Sequence, residues 1–157
     1  MILRILIVLF AVVQVHATPT LEQPDRNIEY YNLDNGVGLH GYDPVAYFEE
    51  FGGEALEGNP SISATYGGVT YYFVNRFHRS IFLEDPLRFE PVGGGWNPFA
   101  LANNAFADID PTRFYQKGRR MFFFISQGSQ VRFIRDPRLE QWADEFWEKE
   151  TGEKPRL

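Results

Sequence analysis

Twice along this chain a β-rich run, a glycine turn and a second β-rich run lead towards a stretch with helical spacing. Ile62 to Tyr66 and Val69 to Val74 flank Gly67-Gly68, a pairing that primed hairpin turns favour. Asn75 then suits the cap of a helix over residues 76–84, with Phe77, Ile81 and Phe82 on one face. Asp85-Pro86 ends that helix and starts another turn carrying Leu87 and Phe89. A second hairpin reads as Arg113 to Gln116 and Arg119 to Ser126, joined at Lys117-Gly118. Its run Met121 to Ile125 is apolar on both faces, which predicts a strand in the middle of a sheet. After Asp136-Pro137, a last helix presents Leu139, Trp142, Ala143, Phe146 and Trp147 as one apolar stripe.

Upstream, Asp43 can cap a short helix whose first position suits Pro44 and which ends near Gly52-Gly53. The fold class expected is therefore α+β: two antiparallel β-hairpins with short helices and a C-terminal amphipathic helix. Asp-Pro steps recur at Asp43, Asp85, Asp110 and Asp136, so a degenerate ββα duplication is an alternative, although the period of these steps is irregular.

Residues 1–17 carry Arg4, an apolar run from Ile5 to Val13 and a Val15-His16-Ala17 ending, the pattern of a secretory signal. The run falls short of the roughly twenty apolar residues of a membrane span, and no later segment approaches that length. Cleavage after Ala17 would leave 140 residues, one domain's worth. Residues 18–38 are polar and read as a mobile N-terminal arm, residues 39–150 as the domain and residues 151–157 as a C-terminal tail. Loss of Arg4 leaves 14 basic against 21 acidic side chains, a balance that disfavours nucleic acid and anionic membrane as partners. The one basic cluster, Lys117-Gly118-Arg119-Arg120, reads as a solvated hairpin tip. Without cysteine, an exported domain must be held by burial, for which 15 Phe, 8 Tyr and 3 Trp provide.

The stretch Gly93-Gly94-Gly95-Trp96-Asn97-Pro98 supplies neither a P-loop nor a dinucleotide-binding turn. A nucleophilic triad would need His40 or His78, and Ser80 lies two residues from His78 on one helix, where the two side chains do not face each other. The carboxylate pairs Glu49-Glu50 and Glu84-Asp85 read as caps or solvated faces. His40 and His78 with Asp43 would suit a divalent transition metal if the fold brings them together. Trp96, Phe99, Tyr42 and Tyr47 either line an apolar pocket or belong to the core.

Gly41-Tyr42-Asp43-Pro44-Val45-Ala46-Tyr47-Phe48, then Tyr66 to Phe73, Phe82 to Pro86 and Pro91 to Ala102, together resemble the long secreted form of the YHS-domain family, over about residues 39–147. The resemblance implies an exported α+β domain related to metal-binding, treble-clef-like modules. It implies heavy-metal binding largely through a cysteine in a Gly-Gly-aromatic-Cys-Ala-aromatic-Ala stretch. Laid on Gly94 to Ala100, that stretch puts Asn97 at the cysteine, and an amide cannot be a soft thiolate ligand. The expectation is a monomeric, non-enzymatic binding module for a small ligand or metal ion. Its ligand site would be formed by Tyr42, Asp43, Tyr47, Trp96 and Asn97, with His40 and His78 as metal ligands. The alternative is an extracellular structural or protein-interaction domain that has lost the ancestral metal site.

Overall fold

Gly67 and Gly68 take φ of 53° and 84°, the left-handed region that glycine enters without steric cost, and so close the first hairpin. In the computed structural model, which describes residues 21–156, this hairpin belongs to a four-stranded sheet. Its strands are β1 (Leu33–Asp34), β2 (Val37–Gly38), β3 (Asn59–Tyr66) and β4 (Val69–Phe73), in the order β1-β2-β4-β3. All neighbours are antiparallel except β2 and β4, which pair in parallel at Val37 and Thr70. There follow α1 (Arg76–Glu84), α2 (Pro86–Phe89) and α3 (Pro98–Leu101). A second, two-stranded sheet is formed by β5 (Asp110–Lys117) and β6 (Arg120–Phe124), and α4 (Gln127–Arg135) and α5 (Arg138–Thr151) complete the chain. The architecture is α+β, built on antiparallel hairpins with short helices.

Several expectations need correction. Much of the segment read as a mobile arm is built into the domain. Tyr31 is buried, Arg26 reaches Glu90, and residues 33–38 supply two strands. The signal-like residues 1–17 and Thr18 to Thr20 lie outside the described residues. Asp43-Pro44 opens no α-helix: residues 44–47 form turns and Glu49–Phe51 a single 3-10 turn. In α1, Asn75 caps as expected by accepting from the His78 N–H at 2.8 Å, but the buried face is His78 and Phe82 with Phe77 turned out. The second hairpin turns at Gly118-Arg119, because Lys117 and Arg120 are paired. The tail is not separate either, since α5 runs to Thr151 and Arg156 bonds Glu90 at 2.9 Å. On α5, Trp142 leaves the stripe and is 43% exposed.

Strand β6 is buried along its whole length without being central in a sheet. Alternation explains it: successive side chains point to opposite faces, and each face meets its own cluster. Met121 and Phe123 join the larger core of Val45, Tyr47, Phe48, Tyr71, Phe73, Phe82 and Trp147. Phe122 and Phe124 join a second core with Leu101, Phe133, Leu139 and Phe146.

The structure also contains an internal repeat with a constant offset. Asn59 and Asp110, Asn75 and Ser126, and Asp85 and Asp136 are each 51 residues apart, as are the bounds of β3 and β5, β4 and β6, and α1 and α4. The hairpins share one irregularity: Asn59 pairs with Phe73 and Ser63 with Tyr72, as Asp110 pairs with Phe124 and Phe114 with Phe123. At each bulge the first side chain accepts from the N–H two residues on, Ser61 to Asn59 and Thr112 to Asp110. The Asp-Pro spacing looked irregular because the copies do not preserve the same Asp-Pro steps: Asp110-Pro111 answers Asn59-Pro60, and Asp43-Pro44 answers Asn97-Pro98.

Candidate functional site

Leu39, His40 and Gly41 have φ of 54°, 51° and 84°; Gly93, Gly94 and Gly95 have 57°, 61° and 87°. The glycine-rich loop is thus the second copy of the bend before Tyr42. Both copies continue alike, as Gly41-Tyr42-Asp43-Pro44 and Gly95-Trp96-Asn97-Pro98. Tyr42 N–H donates to Leu39 O at 3.0 Å and Trp96 N–H to Gly93 O at 3.1 Å. Asp43 N–H donates to Leu56 O at 2.9 Å, and Asn97 N–H to Ala107 O at 3.0 Å.

Asp43 is fully buried and holds three segments together. Its Oδ1 accepts from Val45 N–H at 2.8 Å and Ala46 N–H at 3.3 Å, while Oδ2 accepts from Val74 N–H at 2.9 Å and His78 Nδ1–H at 2.8 Å. The carboxylate thus ties its own turn to the end of β4 and to α1. In the second copy Asn97 Oδ1 accepts from Phe99 N–H at 3.1 Å and caps α3, while Ser129 replaces the histidine and closes the capping box of α4 with Ser126. An amide suffices there because no imidazole has to be matched by a carboxylate.

The remaining predicted site residues are dispersed. Tyr47 is buried and donates its hydroxyl to Pro111 O at 2.8 Å, edge-on to Phe114 and Phe123. Trp96 Nε1–H donates to Tyr30 O at 2.6 Å and packs on Phe106. Tyr42 lies towards Glu57 at the surface. His40 Nε2 is 2.9 Å from Asp108 Oδ1, which also accepts from Asn32 Nδ2 and Ile109 N–H. Partial burial works against the charge on Asp108, but these hydrogen bonds outweigh it and hold its carboxyl below the usual range.

The structure therefore corrects the site reading. His40 pairs with Asp108 and His78 with Asp43, and no group of three His, Asp or Glu side chains suited to a metal ion occurs among the described residues. None of the five cavities described is lined by Tyr42, Asp43, Tyr47, Trp96, Asn97, His40 or His78.

The left-handed backbone at His40 costs a side-chain-bearing residue about 1 kcal/mol or more, and His40→Gly relieves it while losing the half-exposed bond to Asp108, so stability should stay within about 1 kcal/mol of the parent. At the matching Gly94, a Cβ would lie 2.4 Å from the Trp147 ring. Gly94→Ala should therefore cost about 2–4 kcal/mol, from backbone strain and overpacking together. Urea unfolding of both variants measures the contrast, and a Gly94→Ala no worse than His40→Gly would contradict it.

Sequence reasoning missed the buried polar cluster of Arg26, Glu90, Tyr71 and Arg156. Its members come from four places in the chain and share no local pattern. A buried-acid signal was present only in Glu90 standing between Phe89 and Pro91. Comparisons of this chain with protein-family models, curated proteins and solved structures return no match.

Proposed function

We propose that the protein is an exported, non-enzymatic binding domain of the YHS type that engages a protein partner through exposed aromatic surface. The two hairpin-and-helix units and the Gly41 to Phe48 octet support the YHS reading, including its treble-clef-like character. Between ligand module and interaction domain, the disposition of the site residues favours interaction. Asp43, His78, Tyr47, Trp96 and Asn97 are engaged in bonds inside the fold. A binding group spent in this way is not free to hold a ligand.

Phe77 carries the proposal. It is 62% exposed at the first turn of α1, yet it is held in a cluster, with ring centroids 6.5 Å from Phe51 and 6.2 Å from His78. The Asn75 cap and the Asp43–His78 bond fix that turn. A rigid exposed ring loses little conformational entropy on docking, which is why such residues act as anchors at interfaces.

A photoreactive phenylalanine at position 77, offered to the extracellular material of the source organism, should give a discrete cross-linked product that unlabelled protein competes away. Unlabelled Phe77→Ser should compete poorly while unfolding at the same urea concentration as the parent. Cross-linking no stronger than from the same group at exposed Ile134, or equal competition by Phe77→Ser, counts against the proposal.

A further inference from the structure

Four of the chain's 15 cationic side chains, Arg88, Arg119, Arg120 and Arg156, line one cavity of about 180 Å³ in a protein whose formal net charge is −6. They arrive from α2, the turn of the second hairpin, the first residue of β6 and the C-terminal segment. Leu87 and Val92 supply apolar wall, and Glu90 is the one acidic lining residue. The Glu90 side chain is wholly buried, with its oxygens held by Arg26, Arg156 and Tyr71.

The other carboxylates near these arginines do not line the cavity. Arg88 pairs with Glu50, Arg119 with Asp85, and Arg120 with Glu140 and Asp144. These pairs use terminal guanidinium nitrogens: one of Arg88, one of Arg119, and both of Arg120. What remains is unusual. Arg88 Nε and Arg120 Nε are both buried and have no hydrogen-bond partner among the described residues. Arg120 as a whole is only 9% exposed. A buried donor on a cation without an acceptor is costly, and both belong to side chains that line the cavity.

Stacking fixes the geometry further, with the Arg88 guanidinium 5.0 Å from the Phe89 centroid and that of Arg120 5.0 Å from Phe122. The donors are thus oriented before any ligand arrives, which lowers the entropic cost of binding. Water takes about 30 Å³ per molecule in the liquid, so a cavity of about 180 Å³ has room for a compact oxyanion.

We propose that this cavity is a binding site for a tetrahedral oxyanion of the phosphate type, either as the free ion or as the terminal group of a monoester. Planar arginine forks match such oxygens, and a compact anion would accept from the terminal N–H groups of Arg88, Arg119 and Arg156 that their carboxylate partners leave over. The site goes beyond the partner-binding proposal and lies on different residues, so either can fail without the other.

Inorganic phosphate titrated calorimetrically into the purified protein at low ionic strength should bind saturably at one site, with a dissociation constant below about 1 mM. Methyl phosphate forms the second arm: equal affinity identifies a terminal-group site, and loss of affinity a site for the free ion. Arg119→Gln changes a mostly exposed side chain and so tests the cavity without risk to folding. It should weaken binding about tenfold, as should Arg88→Gln, while Arg135→Gln on the exposed face of α4 leaves it unchanged. Absence of saturable heat with both phosphate compounds, or an equal loss in Arg135→Gln and Arg119→Gln, overturns the proposal.

Discussion

Arg26→Ala should destabilise the fold by about 3–5 kcal/mol, the usual cost of removing one partner from a buried ion pair. The Arg26 side chain is 4% exposed and grips Glu90 with two hydrogen bonds, of 2.8 and 3.1 Å. Its guanidinium also lies over the rings of Tyr31 and Tyr66. Burial alone would disfavour the charge, but the Glu90 hydrogen bonds and charge outweigh it and raise the Arg26 pKa above its ordinary value. Without Arg26, Glu90 keeps only Arg156 and the Tyr71 hydroxyl. Urea unfolding measures the loss. The double change Arg26→Met with Glu90→Leu should cost less than the sum of its single changes, because it leaves no unpaired charge. An Arg26→Ala effect below about 1 kcal/mol would mean that the pair with Glu90 adds little to stability.

Stability should fall steeply above about pH 10, the ordinary pKa of tyrosine. Burial is the leading cause that raises the phenols of Tyr31, Tyr47 and Tyr71 well above that value. Hydrogen bonding to Glu153 adds to the effect at Tyr31, as does the Glu90 charge at Tyr71. The folded state holds these protons while the unfolded chain releases them near pH 10. The stabilisation is therefore complete below that pH and is lost as pH rises towards the folded values. The unfolded phenols are half ionised at about pH 10, so each group removes about 1 kcal/mol between pH 10 and 11 and the three together about 3 kcal/mol. Urea midpoints measured from pH 8 to 11 follow the decline. Tyr47→Phe should reduce its slope by about a third, at the cost of about 1 kcal/mol at neutral pH for the lost bond to Pro111. A midpoint that holds steady to pH 11 would be the contrary result.

What the sequence revealed was largely what local chemistry determines. The Gly67-Gly68 turn, the bounds of α1 and the Asn75 cap all follow from residues close in the chain, and the structure has them where they were expected. Phe77 was misplaced because helical spacing gives the angle between two residues but not which of several apolar arcs faces the core. Strand β6 reads as central because being apolar on both faces identifies burial and not what does the burying. Here two side-chain clusters do it, where a parallel sheet would use helices. Asp43 was taken for a helix cap. It does accept from the two following N–H groups, but its second oxygen is drawn to Val74 and His78, a tie between distant segments that no spacing announces. Asn97 gained its meaning from comparison within the chain: it matches Asp43, and its side chain is spent on capping α3. The arginine-lined cavity and the Arg26–Glu90 cluster depend wholly on how the chain is folded back, so composition and periodicity were silent about them.

The two copies of the hairpin are unequal partners in assembly. The second core is drawn almost wholly from the C-terminal half, whereas the first needs Met121, Phe123 and Trp147 from beyond its own copy. Within the first copy, Phe82 of α1 packs on Tyr71 and Phe73 of β4, but Met121, Phe123 and Trp147 must arrive before that core is complete. The first core is thus completed only with the second copy and α5 in place, and repetition of the motif brings no independence of its parts.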